Sequence, residues 1–280
     1  MSISTTRRGF LGGAAAGLGL AAAPGASAGV DNEALGFKLG VATYSLRMFQ
    51  RGLAIKMIRT IQTPYVSIKE FHLPISAPRE EWGRGRKEFE KAGLKIMSGG
   101  NVSFPADDAE DIRHKFEYAK TSGMPMMVCA PTHQNLARLE KFVQEYNIKL
   151  AIHNHGPEDK HFPTPQSVLS AVKNMDPRIG LCLDIGHSAR TGVDLVQSFV
   201  EAGSRLLDVH VKDLRSPTAK ESQCDVGDGA LPIVAIFKQL KKMNYTGCVN
   251  LEYEINADDP LTGMLKSFSY MRGVLAGLKG

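Results

Sequence analysis

The chain has 280 residues, 43% of them hydrophobic and 22% charged, a globular balance that excludes a disordered or fibrous polypeptide. Four cysteines are too few for a disulfide scaffold, and a formal charge of +5 is too mild for a nucleic-acid or polybasic membrane partner. Length alone admits one large domain or two small ones.

Residues 1–28 read as an export signal. Thr6-Arg7-Arg8-Gly9-Phe10-Leu11 resembles the twin-arginine motif, an apolar run follows from Leu11 to Ala23, and Ala26-Ser27-Ala28 offers a small-residue cleavage site. The apolar run is 13 residues, short of the roughly 20 needed to span a bilayer, so no stable membrane span is expected. The twin-arginine (Tat) pathway carries folded proteins, so this leader implies a periplasmic protein that folds, with any metal it holds, before export. Setting Arg7 and Arg8 aside leaves 32 of the 34 bases against 29 acids, so the mature charge falls to +3.

From Lys38 onward, eight short β-rich runs alternate with stretches of helical spacing. The β-rich runs lie at 38–44, 65–71, 94–98, 125–130, 148–153, 179–184, 205–211 and 247–253. Between them, apolar residues recur three and four apart, as in Leu136, Leu139, Val143 and Tyr146, or Ile233, Ile236, Phe237 and Leu240. A last helix is expected over 260–277. Eight strand–helix units without a polar linker predict one α/β domain over 36–278, a closed (β/α)8 TIM barrel. An open doubly wound sheet is the alternative, but no Gly-rich phosphate loop follows the first strand.

Barrel active sites lie where the strands end. The first run ends in Tyr44-Ser45, the second in Glu70-Phe71-His72, the third near Asn101 and the fourth near Thr132-His133. The fifth ends in His153-Asn154-His155, the sixth in Asp184 and His187, the seventh in His210, Lys212 and Asp213, and the eighth carries Glu252 and Glu254. Seven of the eight histidines fall in or just after strand ends, an arrangement suited to holding a divalent metal at one barrel mouth. Alternation puts His153 with His155 on one face, Asp208 with His210 and Lys212, and Glu252 with Glu254. Asp184 stands out because it closes the apolar run Ile-Gly-Leu-Cys-Leu, where an unpaired buried carboxylate is expensive.

LCLDIGH at 181–187, DVHVKDLR at 208–215, GDGALPIVAIFKQL at 227–240 and YTGCVNLEYE at 245–254 together resemble the xylose-isomerase-like superfamily of TIM barrels. That group includes sugar and sugar-phosphate isomerases and epimerases, inosose dehydratases and the endonuclease IV repair enzymes. The resemblance implies a divalent metal, manganese first, with cobalt, magnesium or zinc as alternatives. In the ketose epimerases the ligands are Glu, Asp, His and Glu; the last three fall on Asp184, His210 and Glu252. The first falls on His153, a departure that inosose dehydratases share in their histidine-rich fifth strand. His155 is the competing ligand. With His153 as ligand, the four side chains and the ion sum to zero charge rather than −1, which strengthens the ion as a Lewis acid. Metal affinity is then expected to fall below about pH 6.5.

The implied chemistry is proton abstraction beside a metal-bound carbonyl of a sugar or cyclitol, as in an isomerase or epimerase. A lyase or dehydratase is the alternative, because His153 removes one of two opposed carboxylates. Glu252 is read as ligand and base, and His153 or His155 as acid. His187 and Lys212 would orient hydroxyls, and Glu70, Asn101 and His133 would contact the carbohydrate. A nuclease like endonuclease IV is disfavoured by the leader, the mature charge and the lack of a basic, aromatic-interleaved patch. Its only footing is Trp82 with Arg79, Arg84, Arg86 and Lys87, which read better as a solvated helix face. A non-catalytic sugar-binding barrel is the third class, and homo-oligomerisation is left open.

Overall fold

The computed structural model describes residues 37–278; the export signal expected at 1–28 lies outside them. Its barrel strands are β1 (Lys38–Ala42), β2 (Tyr65–Ile68), β3 (Lys95–Phe104), β4 (Met126–Pro131), β5 (Lys149–His153), β6 (Ile179–Asp184), β7 (Leu206–Val211) and β10 (Cys248–Leu251). They close in the order β1-β10-β7-β6-β5-β4-β3-β2, every pairing parallel. A two-stranded hairpin, β8 (Asp213–Leu214) with β9 (Gln223–Cys224), stands in the loop after β7.

The strands are apolar on both faces because one face fills the barrel and the other meets the helices. All four residues of β2, all six of β6 and all four of β10 are buried. Outside run α1 (Arg51–Ile61), α2 (Arg79–Lys91), α3 (Ala109–Thr121), α4 (Leu136–Tyr146), α5 (Pro165–Val172), α6 (Ile185–Ala189), α7 (Leu195–Ala202), α8 (Ile233–Lys242) and α9 (Leu261–Gly277). Each longer helix presents an apolar stripe: Leu136, Leu139, Phe142 and Val143 of α4, and Ile233, Ile236, Phe237 and Leu240 of α8, are buried. Full burial of one such side chain is worth about 1.5–3 kcal/mol, so these stripes fix which way each helix faces. Asp108 and Asp194 cap α3 and α7 by accepting backbone N–H bonds.

Several strand ends differ from the sequence reading in ways that shape the site. β3 runs on to Phe104, past Gly99 and Gly100, so Asn101 sits within a strand rather than beyond one. Gly100 has φ +121, and a Cβ there would lie 2.0 Å from the Val128 carbonyl oxygen, so only glycine lets β3 approach β4. β5 stops at His153, and His155 lies in the loop beyond it. All four cysteines are free and buried. Low in the barrel, Asp208 accepts hydrogen bonds from Ser98 Oγ (2.9 Å) and Asn250 Nδ2 (2.8 Å), and burial pushes its carboxyl up to about 6.

Trp82 is buried, its ring edge-on to Tyr118 and its Nε1 donating to the Pro74 carbonyl. Arg79, Arg84 and Arg86 pair with Glu117, Glu81 and Glu90, which makes this helix face a set of surface ion pairs. No helix among the described residues is long and apolar enough to cross a membrane.

Candidate metal centre and cavity

Four neighbouring strands deliver one donor each to a single point. His153 ends β5, Asp184 ends β6, His210 is the penultimate residue of β7, and Glu252 follows β10. Their donor atoms lie within 4.8 Å of one another. His153 Nε2 is 3.2 Å from His210 Nδ1 and 3.5 Å from Asp184 Oδ2, and His210 Nδ1 is 3.3 Å from Glu252 Oε2. Two ligand bonds of about 2.1 Å at tetrahedral or octahedral angles separate their donors by about 3.0–3.4 Å, so this spacing fits one divalent ion. All four residues are buried, and Asp184 Oδ2 meets the Lys212 ammonium at 3.1 Å. A buried carboxylate is costly without a cation beside it, and Lys212 supplies one. The donor set of two imidazoles and two carboxylates suits a first-row divalent metal.

Local structure explains the placement of each donor. Asp184 is also the N-cap of α6, its Oδ1 accepting the His187 backbone N–H at 2.8 Å, which leaves Oδ2 directed at the cluster. Asn154 holds β5 to β6: its Oδ1 accepts the Asp184 N–H, and its Nδ2 donates to Ser188 Oγ at 2.9 Å. Asn154 therefore faces away from His153, as alternation predicts.

Two ammonium groups share the centre. Lys212 Nζ lies 3.1 Å from Asp184 Oδ2, 3.2 Å from Glu252 Oε2 and 2.5 Å from Glu254 Oε1. Lys69 Nζ lies 2.8 Å from Glu252 Oε1. Burial alone would raise the Asp184 carboxyl, but Lys212, with His187 and His153, overcomes it and holds the group well below its ordinary range. Burial likewise opposes ionisation of Glu252, yet His210, Lys69 and Lys212 hold it low. Burial would strip the proton from Lys212; its three carboxylates keep it well above its usual value. His153 is pushed down to about 4 and His187 to about 3, chiefly by burial, so both rings are neutral at physiological pH. Neutral imidazole is the form that binds a metal.

Above the centre opens a cavity of about 360 Å³. Glu252, His153 and Lys69 form its floor, His155 and His187 one wall, and Glu70 and Asn101 also line it. The His155 and His187 rings are tilted against each other with centroids 4.3 Å apart. His155 is exposed and takes no part in the four-donor cluster, so the geometry favours His153 as the fifth-strand donor. Lys212, bound to carboxylates, does not line this cavity but a smaller one beside it that shares His187 and Glu254.

His133 departs from its expected place. It is exposed, its ring 4.7 Å from Phe162, and it does not line the cavity, because buried Asn135 ties the turn after β4 to the Phe104 carbonyl at the end of β3. His72 is also turned away, its Nε2 between the carbonyls of Leu46 and Phe49. Lys69 is the residue that sequence reasoning missed. Its signal was a lysine continuing the inward face set by Ser67, directly after a run buried on both sides. With Lys69 and Lys212 counted, the centre carries two cations that the four-ligand charge count omitted.

A closed eight-stranded barrel with one polar centre at its C-terminal mouth defines a class, and sequence comparison gives the family. The chain belongs to the xylose isomerase-like TIM barrel family, whose model matches residues 70–274. It is similar to the rhizopine catabolism protein MocC of Rhizobium meliloti, 30% identical over 146 residues, covering 46% of this chain and 44% of that one. It is 26% identical over 163 residues to the inosose dehydratase of Mesomycoplasma hyopneumoniae, covering 51% of this chain and 53% of that enzyme. The chain thus spans about half the length of these relatives. Among solved structures, the IolI protein with a bound zinc atom shares the fold at a TM-score of 0.70 and 18% identity, covering 84% of this chain and 98% of that one.

Proposed function

We propose that the protein is a divalent-metal-dependent enzyme that removes a proton beside the carbonyl of a sugar or cyclitol and completes the reaction by elimination. The observation that carries this reading is the convergence of donor atoms of His153, Asp184, His210 and Glu252 on one point at the floor of a polar cavity. These four residues would hold the ion, which supplies Lewis-acid polarisation of the substrate carbonyl. Lys69 lines the cavity beside Glu252, where a developing oxyanion gains from a fixed cation.

Glu252, held ionised by Lys69, Lys212 and His210, suits a ligand better than a base of matched strength. His155, exposed at the mouth and packed on His187, is the imidazole placed to exchange protons with solvent. It would take the proton from the carbon next to the carbonyl and return it to the departing hydroxyl, so that water leaves. Elimination is favoured over epimerisation because the fifth-strand donor is His153 rather than a carboxylate, and the similarity to an inosose dehydratase supports it. Epimerisation, the second reading, keeps the same first step and returns the proton to carbon. The native metal is proposed as manganese, and the compartment, through the leader, as the periplasm.

The test is incubation of metal-loaded protein with a panel of keto-sugars and inososes in D₂O, followed by NMR. Deuterium entry beside the carbonyl with loss of water is expected, and it should be abolished in Asp184→Asn and His210→Ala, which should also hold well under one equivalent of metal. Full metal occupancy in either variant, or no exchange with any substrate, refutes the reading.

A further inference from the structure

The mouth of the cavity carries an aromatic surface that the chemistry at its floor does not use. Phe71, in the loop after β2, lines the cavity and is 58% exposed, whereas His153 and Glu252 on the floor are 4% and 5% exposed. Its ring meets Tyr44 edge-on, centroids 5.6 Å apart, and the Arg47 guanidinium lies over Tyr44 at 4.6 Å. Arg47 donates in turn to the Glu254 carbonyl at 2.8 Å and the Tyr44 carbonyl at 3.2 Å. The stack Arg47–Tyr44–Phe71 is therefore anchored to the ends of β1 and β10. It holds an apolar ring out toward water at the edge of a polar cavity, where it gains only by being covered. A pyranose offers an apolar C–H face for such a ring and a hydroxyl edge for Glu70, the neighbour of Phe71, and for Asn101, whose buried Oδ1 has no partner.

The charges around the mouth bear on what that sugar carries. In many barrels of this kind, phosphate is bound by the loops after the seventh and eighth strands. Here the backbone donors of that region serve an internal carboxylate. Buried Asp213 accepts the N–H groups of Gly227 (2.9 Å), Gly229 (3.2 Å), Leu231 (3.1 Å) and Leu214 (2.9 Å). Arg190 is held at 2.6 Å by both oxygens of Glu158, and Lys69 and Lys212 are engaged by the carboxylates of the centre. Lys220 is exposed at the rim, 3.8 Å from Glu158.

We propose that Phe71 and Tyr44 form a subsite for a second sugar ring, so that the substrate is an unphosphorylated glycoside whose reacting ring sits on the floor beside Glu252 and Lys69. This rests on the carbohydrate reading above. The experiment is calorimetric titration of the metal-loaded protein and its Phe71→Ala and Phe71→Trp variants. The probes are cellobiose, maltose and lactose, the methyl glycosides of their non-reducing sugars, and glucose 6-phosphate. At least one disaccharide should bind about tenfold tighter than its methyl glycoside. Phe71→Ala should erase that preference while leaving the methyl glycosides unchanged, and Phe71→Trp should keep it. Equal binding of disaccharides and methyl glycosides, equal weakening of both by Phe71→Ala, or tightest binding of glucose 6-phosphate overturns the subsite alone. Binding of none of these sugars also overturns the subsite, whereas the carbohydrate reading falls only with the keto-sugar and inosose panel.

Discussion

Replacing Lys212 with methionine isolates the electrostatics of the centre. Methionine approximates the lysine stem and leaves little void, so the change is the loss of one buried charge. That charge is 4% exposed and lies 3.1, 3.2 and 2.5 Å from carboxylate oxygens of Asp184, Glu252 and Glu254. Glu252 keeps Lys69 at 2.8 Å, and Glu254 is part-exposed, so the burden falls on Asp184, which is 0% exposed. Removing one member of a buried ion pair costs about 3–5 kcal/mol, a large fraction of the 5–15 kcal/mol that holds a typical domain together. Urea unfolding of chelator-treated Lys212→Met at pH 7.5 should show a loss of that size. Saturating Mn²⁺ should restore more stability to the variant than it adds to the wild type, since the ion then replaces the missing charge. A metal-free loss below about 1 kcal/mol would show that Asp184 does not depend on Lys212 for its ionisation, and would refute the reasoning.

Burial also sets the pH behaviour of the histidines. His153 titrates near 4 and His187 near 3 in the folded protein, against an ordinary 6.5. Between those values the unfolded chain binds protons that the native state does not, so metal-free stability should fall as pH drops below 6.5, by about 2 kcal/mol per ring at pH 5. Divalent metal binding should accordingly persist to about pH 5 as far as His153 is concerned, below the point near 6.5 expected from an unperturbed imidazole; an NMR midpoint for His153 near 6.5 would contradict this. For the leader, Arg7→Lys with Arg8→Lys should leave the protein in the cytoplasm, and export at the wild-type level would remove the twin-arginine reading.

Much of this molecule is legible in its sequence because both repeating signals are local. Two-sided apolar runs such as IGLCLD and amphipathic stripes such as Ile233, Ile236, Phe237 and Leu240 dictate strand and helix without reference to distant residues, and eight such units leave a closed barrel as the economical solution. The carboxylate of Asp184 was marked by its burial, and alternation grouped His210 with Asp208 and Lys212, and Glu252 with Glu254. Alternation held past the end of β5, where His153 and His155 both line the cavity, whereas the turn after β4 carries His133 away from it. Only the tertiary structure could place Lys69, since a lysine beyond β2 becomes part of the centre solely by lying across the barrel from Lys212, with Glu252 between them. It likewise decided how far His153 is displaced from an ordinary imidazole. That displacement is set by the protein packed around the ring, and packing brings together residues that the chain keeps far apart.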